Sequence, residues 1–129
     1  MILTAIALTL AAPACQKYDA NLPQTLAGWT RAGRDFDTGH AITLPRRGSG
    51  VHTMVRIRKA GTYGVALDQA GWIDVAPAKG KVLQSSEHAH GPQCSTIRKI
   101  VRYRLRPGTY RIDVTRLKGD RARLMLVRY

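Results

Sequence analysis

The chain has 129 residues, enough for one domain of ordinary size and too few for a multidomain enzyme or a polytopic membrane protein. Hydrophobic residues make up 44% and charged residues 22%, a globular composition that excludes a disordered chain. Lys and Arg number 21 against 8 Asp and Glu, a formal net charge of +13, while 6% aromatics leaves too few rings for a base-stacking surface.

Met1–Ala14 carry no charged side chain, and Ile2, Leu3, Ala5, Ile6, Ala7, Leu8, Leu10, Ala11 and Ala12 form a short apolar run. The run ends in Ala12-Pro13-Ala14, a small-x-small cleavage pattern directly before Cys15. It falls short of the roughly 20 apolar residues a spanning helix needs. Residues 1–14 therefore read as a signal peptide and the product as periplasmic or secreted. Against this, no Lys or Arg precedes the run, and a hydrophobic N-terminal strand is the alternative. Cys15 stands where a lipoprotein would be acylated, but Ala12 and Pro13 depart from the lipobox. In an exported chain the favoured reading is one disulfide between Cys15 and Cys94, the only two cysteines.

Residues 15–38 form a polar N-terminal arm containing Pro23 and Gly28, with Trp29 expected to plug it onto the core. From residue 39 to 129 the texture changes to apolar and basic residues alternating with a period of two, punctuated by Gly and Pro. This pattern predicts strands at Ala41–Leu44, Val51–Arg58, Thr62–Asp68, Trp72–Val75, Lys81–Gln84, Ile97–Leu105, Thr109–Arg116 and Arg121–Arg128. No stretch shows a helical period. The expected fold is all-β, an antiparallel sandwich or jelly roll of about eight strands.

An internal echo sharpens that expectation. Val55-Arg56-Ile57-Arg58-Lys59-Ala60-Gly61-Thr62-Tyr63 recurs as Val101-Arg102-Tyr103-Arg104-Leu105-Arg106-Pro107-Gly108-Thr109-Tyr110, with one extra residue before the turn. Each copy reads as a hairpin whose alternate residues (Val55, Ile57 and Val101, Tyr103, Leu105) face inward and whose arginines face water. Two such hairpins facing each other would make a two-layer core. The basic-x-Gly-Thr-Tyr turn and following strand resemble the pre-peptidase C-terminal domain of secreted bacterial proteases. The segments Gly39–Pro45, Ala66–Val75 and His88–Lys99 resemble a group of short exported bacterial proteins that carry the label homogentisate 1,2-dioxygenase.

The first constellation with chemical potential is Glu87-His88-Ala89-His90. On an extended segment His88 and His90 project to one side. Two imidazoles can grip a transition-metal ion such as Zn, Cu or Fe, with Glu87, or the distant His40 or His52, completing the set. A polar surface loop is the competing reading, since Ser85, Ser86, Gly91 and Pro92 all suit one. The dioxygenase label implies a cupin site in which two His and one carboxylate hold iron. His88 and His90 match its opening, but the Glu place falls near Cys94 and Ser95 and no His follows His90. Half of that site is missing.

The second signal is charge. Between Arg98 and Tyr129 there are eleven cations and two anions, so +9 of the +13 lies in the last quarter. Arg102, Arg104 and Arg106 share one face of a predicted strand. If Arg111 and Arg123 join them, the outer sheet face becomes a cationic patch able to attract polyanions. For an exported protein these would be lipopolysaccharide, anionic lipid or acidic polysaccharide, and not nucleic acid. A solvated face that keeps sheet edges from pairing is the alternative. Ser49, Ser85, Ser86 and Ser95 lack a nucleophile elbow, and Pro45–Gly50 lacks the Lys-Ser/Thr of a phosphate loop. Trp72 with Asp74 is either a sugar-stacking platform or, the favoured reading, a core Trp. The sequence thus points to a non-catalytic binding module with a candidate His-x-His metal site, and to a cupin-type dioxygenase or a purely structural envelope protein as the alternatives.

Overall fold

The computed structural model describes residues 1–7 and 14–129. Eight strands form where β-branched and aromatic residues alternate with polar ones: β1 (Ile42–Pro45), β2 (Val51–Ile57), β3 (Gly61–Leu67), β4 (Trp72–Pro77), β5 (Glu87–His90), β6 (Lys99–Leu105), β7 (Gly108–Thr115) and β8 (Arg121–Arg128). They make two antiparallel sheets, ordered β1-β8-β3-β6-β5 and β2-β7-β4. The inward residues of both sheets meet in one core that includes Val55, Ile57, Tyr63, Val65, Val101, Tyr103, Leu105, Tyr110, Ile112 and Leu124.

The pairings are nested: β1 with β8, β2 with β7, β3 with β6. Rolling up one long antiparallel ribbon gives these three pairs, so the sandwich has jelly-roll topology except at β5, which pairs β6 and not β4. Nesting corrects one expectation. The echoed segments are not hairpins, because β2 pairs β7 and β3 pairs β6, with Ile57 opposite Gly108 and Gly61 opposite Leu105. Each Gly-Thr-Tyr turn is an arch carrying the chain from one sheet to the other. Each arch is tied by its tyrosine. The Tyr63 hydroxyl donates to the Lys59 carbonyl at 2.7 Å, and the Tyr110 hydroxyl donates to the Arg106 carbonyl at 2.8 Å and accepts from the Arg106 N–H at 3.0 Å. The spacing of four residues is the same in both, a doubled version of the tyrosine corner of sandwich folds.

Two element expectations are corrected as well. Lys81–Gln84 is irregular, attached to β4 by one bond from the Leu83 N–H to the Val75 carbonyl at 2.8 Å. Only Leu83 of this stretch packs on the core, too little apolar burial to hold a ladder. The strand instead forms at Glu87–His90, against β6. The polar arm, which shows no helical period in sequence, nevertheless contains a 3-10 helix at Gln24–Thr30.

That helix covers the outer face of the five-stranded sheet. Leu26 and Trp29 join Ala41, Ala66, Ile97, Ile100, Met125 and Val127 in a second apolar cluster. Trp29 is fully buried, and its indole N–H donates to Thr96 Oγ1 at 2.9 Å. Gly28 is required here, since a Cβ would lie 2.6 Å from the Gly39 carbonyl carbon. The start of the arm is stapled by the Cys15–Cys94 disulfide, with Cα atoms 5.4 Å apart. Beside it the Asp19 carboxylate accepts from Thr96 N–H at 2.8 Å and Thr96 Oγ1 at 2.6 Å, which holds Asp19 at a φ of 61°. Residues 8–13 of the expected leader lie outside the described residues. Among those described, no helix is long and apolar enough to cross a membrane.

Candidate functional site

Register places the five expected cations in three different settings. Arg102 and Arg104 lie on the outer face of β6, and Arg106 follows them in the β6–β7 arch. Arg102 is engaged there: its guanidinium carbon lies 3.8 Å from the centre of the Tyr129 ring, and a guanidinium nitrogen sits 3.6 Å from the Glu87 carboxylate. Arg111 belongs to the other sheet and is paired with Asp113 at 2.8 Å. Arg123 is tucked beneath the arm, 5.3 Å from the centre of Trp29, with its Nε buried and without a partner. The single outer-face patch expected from Arg102, Arg104, Arg106, Arg111 and Arg123 is therefore divided, because β7 left the five-stranded sheet and the arm covers β8.

A different cluster takes its place. The two arches lie side by side at one end of the roll, so Arg56, Arg58 and Lys59 of the first copy share that end with Arg104 and Arg106 of the second. Arg128, opposite Tyr63 in the β3–β8 ladder, joins them. Beside the first arch, between segment 34–38 and β2, runs a groove of about 620 Å³. Arg34, Arg56, Arg58, Lys59 and Arg128 line it against two carboxylates, Asp35 and Asp37. Asp37 is already occupied by the Gly39 N–H at 2.9 Å and by His40 Nδ1 at 3.1 Å. The floor is apolar, from Phe36, Val55, Ile57, Tyr63 and Leu126. Cations crowded round a low-dielectric floor focus the field into the groove. The sequence signal for it was the echo itself, which repeats Arg-x-Arg before both Gly-Thr-Tyr turns. Reading the turns as hairpins concealed that the copies meet.

The expected metal set does not converge. Glu87 is opposite Arg102 and faces outward with it, whereas His88 is opposite Val101 and His90 opposite Lys99, on the inward side. Adjacent residues on a strand point to opposite faces, which separates Glu87 from both imidazoles. His40 and His52 lie elsewhere, on the arm–β1 connection and on the outer face of β2. Among the described residues no group of three or more His, Cys, Asp or Glu side chains is placed to hold an ion. His88 instead lines a small cleft between β4 and β5 with Trp72, Ser85, Lys99 and Tyr103. Lys99 Nζ donates to the Gly71 carbonyl at 2.9 Å and the Tyr103 hydroxyl to the Ile73 carbonyl at 3.1 Å. Burial, helped by the negative charge of Asp74, pushes the Tyr103 phenol up to about 12.

Trp72, favoured as a core residue, is 53% exposed on the outer face of the three-stranded sheet. Ile73 and Val75 take the inward positions of β4, so alternation sends Trp72 and Asp74 outward.

The site and fold define a small jelly-roll module with a basic groove at its arch end. No protein-family model matches the sequence, and no curated protein is significantly similar to it.

Proposed function

We propose that the protein is an exported binding module whose groove and arch end take a phosphate- or carboxylate-bearing polymer of the cell envelope, such as lipopolysaccharide or an acidic polysaccharide. The observation that carries this reading is the groove lined by five cations over an apolar floor. Export is supported by the Cys15–Cys94 disulfide, since such bonds persist in oxidising compartments. Guanidinium groups suit the ligand because their planar fork pairs with phosphate and carboxylate oxygens two at a time. An open groove with an apolar floor and flanking cations suits binding.

The test is retention of the mature protein on immobilised heparin and on immobilised lipopolysaccharide over a salt gradient. Elution moves to lower salt in the double variant Arg56→Glu/Arg58→Glu, with an affinity loss of about fivefold or more per cation removed. A second double variant, Lys118→Glu/Arg121→Glu, changes the net charge equally at the opposite end of the roll and leaves retention close to wild type. Equal losses in the two variants would mean that net charge, and not this site, governs binding, and the reading would fall.

A further inference from the structure

The outer face of the three-stranded sheet carries a second recognition surface of different chemistry. Its centre is Trp72, a large aromatic that the fold leaves half in water. The indole N–H donates to Asp74 Oδ1 at 3.0 Å, and the Arg116 guanidinium lies 5.4 Å from the ring centre. Arg116 itself sits at a φ of 59°, a left-handed conformation that a non-glycine residue seldom adopts. A ring fixed along its edge and backed by a cation keeps its orientation without a ligand, so little rotamer freedom is left to lose on binding.

The neighbouring positions supply hydrogen-bonding groups on the same face. Thr115 is directly opposite Trp72, Asp113 opposite Asp74, and His52 opposite Asp113 on the far strand. Side chains opposite one another in a ladder share a face, and adjacent strands are roughly 4.8 Å apart, so this row spans about 10 Å. Its charges cancel locally: Asp113 is paired with Arg111 at 2.8 Å, and Asp74 has Arg116 near the ring it holds. A face with an exposed indole held at its edge, and carboxylate and imidazole acceptors whose charges are locally matched, favours a neutral ligand rich in hydroxyls over an anion. We infer that Trp72, Asp74, Asp113 and His52 form a binding platform for a neutral oligosaccharide, whose C–H face stacks on the indole while its hydroxyls donate to the carboxylates. The platform's centre on β4 is separated from the groove by β7; the two surfaces share only β2, which carries His52 on its outer face and lines the groove with Thr53–Ile57.

Tryptophan emission tests this directly, because Trp29 is fully buried and Trp72 is the only other tryptophan. The mature protein is titrated with neutral hexasaccharides of β-1,4-glucose, β-1,3-glucose and β-1,4-N-acetylglucosamine in about 0.5 M salt, which confines charge effects to a few ångström. At least one sugar gives a saturable change in emission. Its affinity, measured by calorimetry, falls about tenfold or more in Trp72→Ala and several-fold in Asp113→Asn, and is partly retained in Trp72→Phe. The groove variant Arg56→Glu/Arg58→Glu binds the sugar as wild type does, so this surface and the proposed anion groove fail or stand separately. Absence of saturable binding to all three sugars, or unchanged affinity in folded Trp72→Ala, overturns the inference.

Discussion

The two arches provide an internal comparison, because the same tyrosine makes one hydrogen bond in the first and two in the second. Tyr63 donates to the Lys59 carbonyl, whereas Tyr110 donates to the Arg106 carbonyl and also accepts from the Arg106 N–H. Replacing either with Phe keeps the ring in the core and removes only the hydroxyl. A typical intramolecular hydrogen bond contributes a net 0.5–1.5 kcal/mol, roughly, so Tyr63→Phe should cost about 1 kcal/mol and Tyr110→Phe about 2 kcal/mol. With a urea slope of about 1.5 kcal/mol per molar, the midpoints fall by about 0.7 M and 1.3 M respectively. Equilibrium unfolding followed by Trp29 emission measures both, and the slope should not change. A cost for Tyr63→Phe equal to or above that of Tyr110→Phe would refute the reasoning. So would midpoints unmoved in both variants.

Other consequences are equally direct. Cys15→Ser/Cys94→Ser opens a loop of 79 residues' separation; chain entropy assigns the bridge about 4.5 kcal/mol, and the released arm should red-shift Trp29 emission before global unfolding. Trp29→Ala, at a fully buried site, should cost about 3–5 kcal/mol, measured by the same urea titration followed by circular dichroism. Arg123→Met keeps a flexible stem against Trp29 and removes the buried Nε that has no partner, so stability by urea titration should stay within about 0.5 kcal/mol of wild type or rise. The Tyr103 phenol holds its proton to about pH 12 when folded, against an ordinary value of 10.0. Between those values the folded chain binds the extra proton, so stability is flat below about pH 10 and declines above it, by about 2–3 kcal/mol at most. Unfolding midpoints at about pH 9 and about pH 12 should therefore differ less in Tyr103→Phe than in wild type, and parallel losses would show that Tyr103 is not the cause.

Much of the fold is legible in the sequence because burial of one strand face imposes a period of two on the residues. Val55, Ile57, Val101, Tyr103 and Leu105 read as inward by alternation and are core residues. The disulfide and the plugging role of Trp29 are equally readable, the first from cysteine count and the second from one large apolar residue in a polar arm. The candidate site is only half legible. Arg104 and Arg106 stand out in the sequence, but nothing there assembles Arg34, Arg56, Arg58, Lys59 and Arg128 with them, because alternation says which residues face water and not which strands are neighbours. His88 and His90 do share a side as alternation requires, and the same alternation takes Glu87 away from them. Trp72 shows the reverse difficulty: a large aromatic suggests the core, but its parity with Ile73 and Val75 places it outside.

Taken alone, then, the amino-acid order determined an all-β chain, its inward and outward faces, its turns and its excess of positive charge, since each depends on contacts with solvent or with residues close in sequence. The partnership of β2 with β7 and β3 with β6 was decided only by tertiary structure, because it joins residues far apart along the chain and gives no local trace. That partnership turned two apparent hairpins into adjoining arches and so gathered separate arginine runs at one end of the roll.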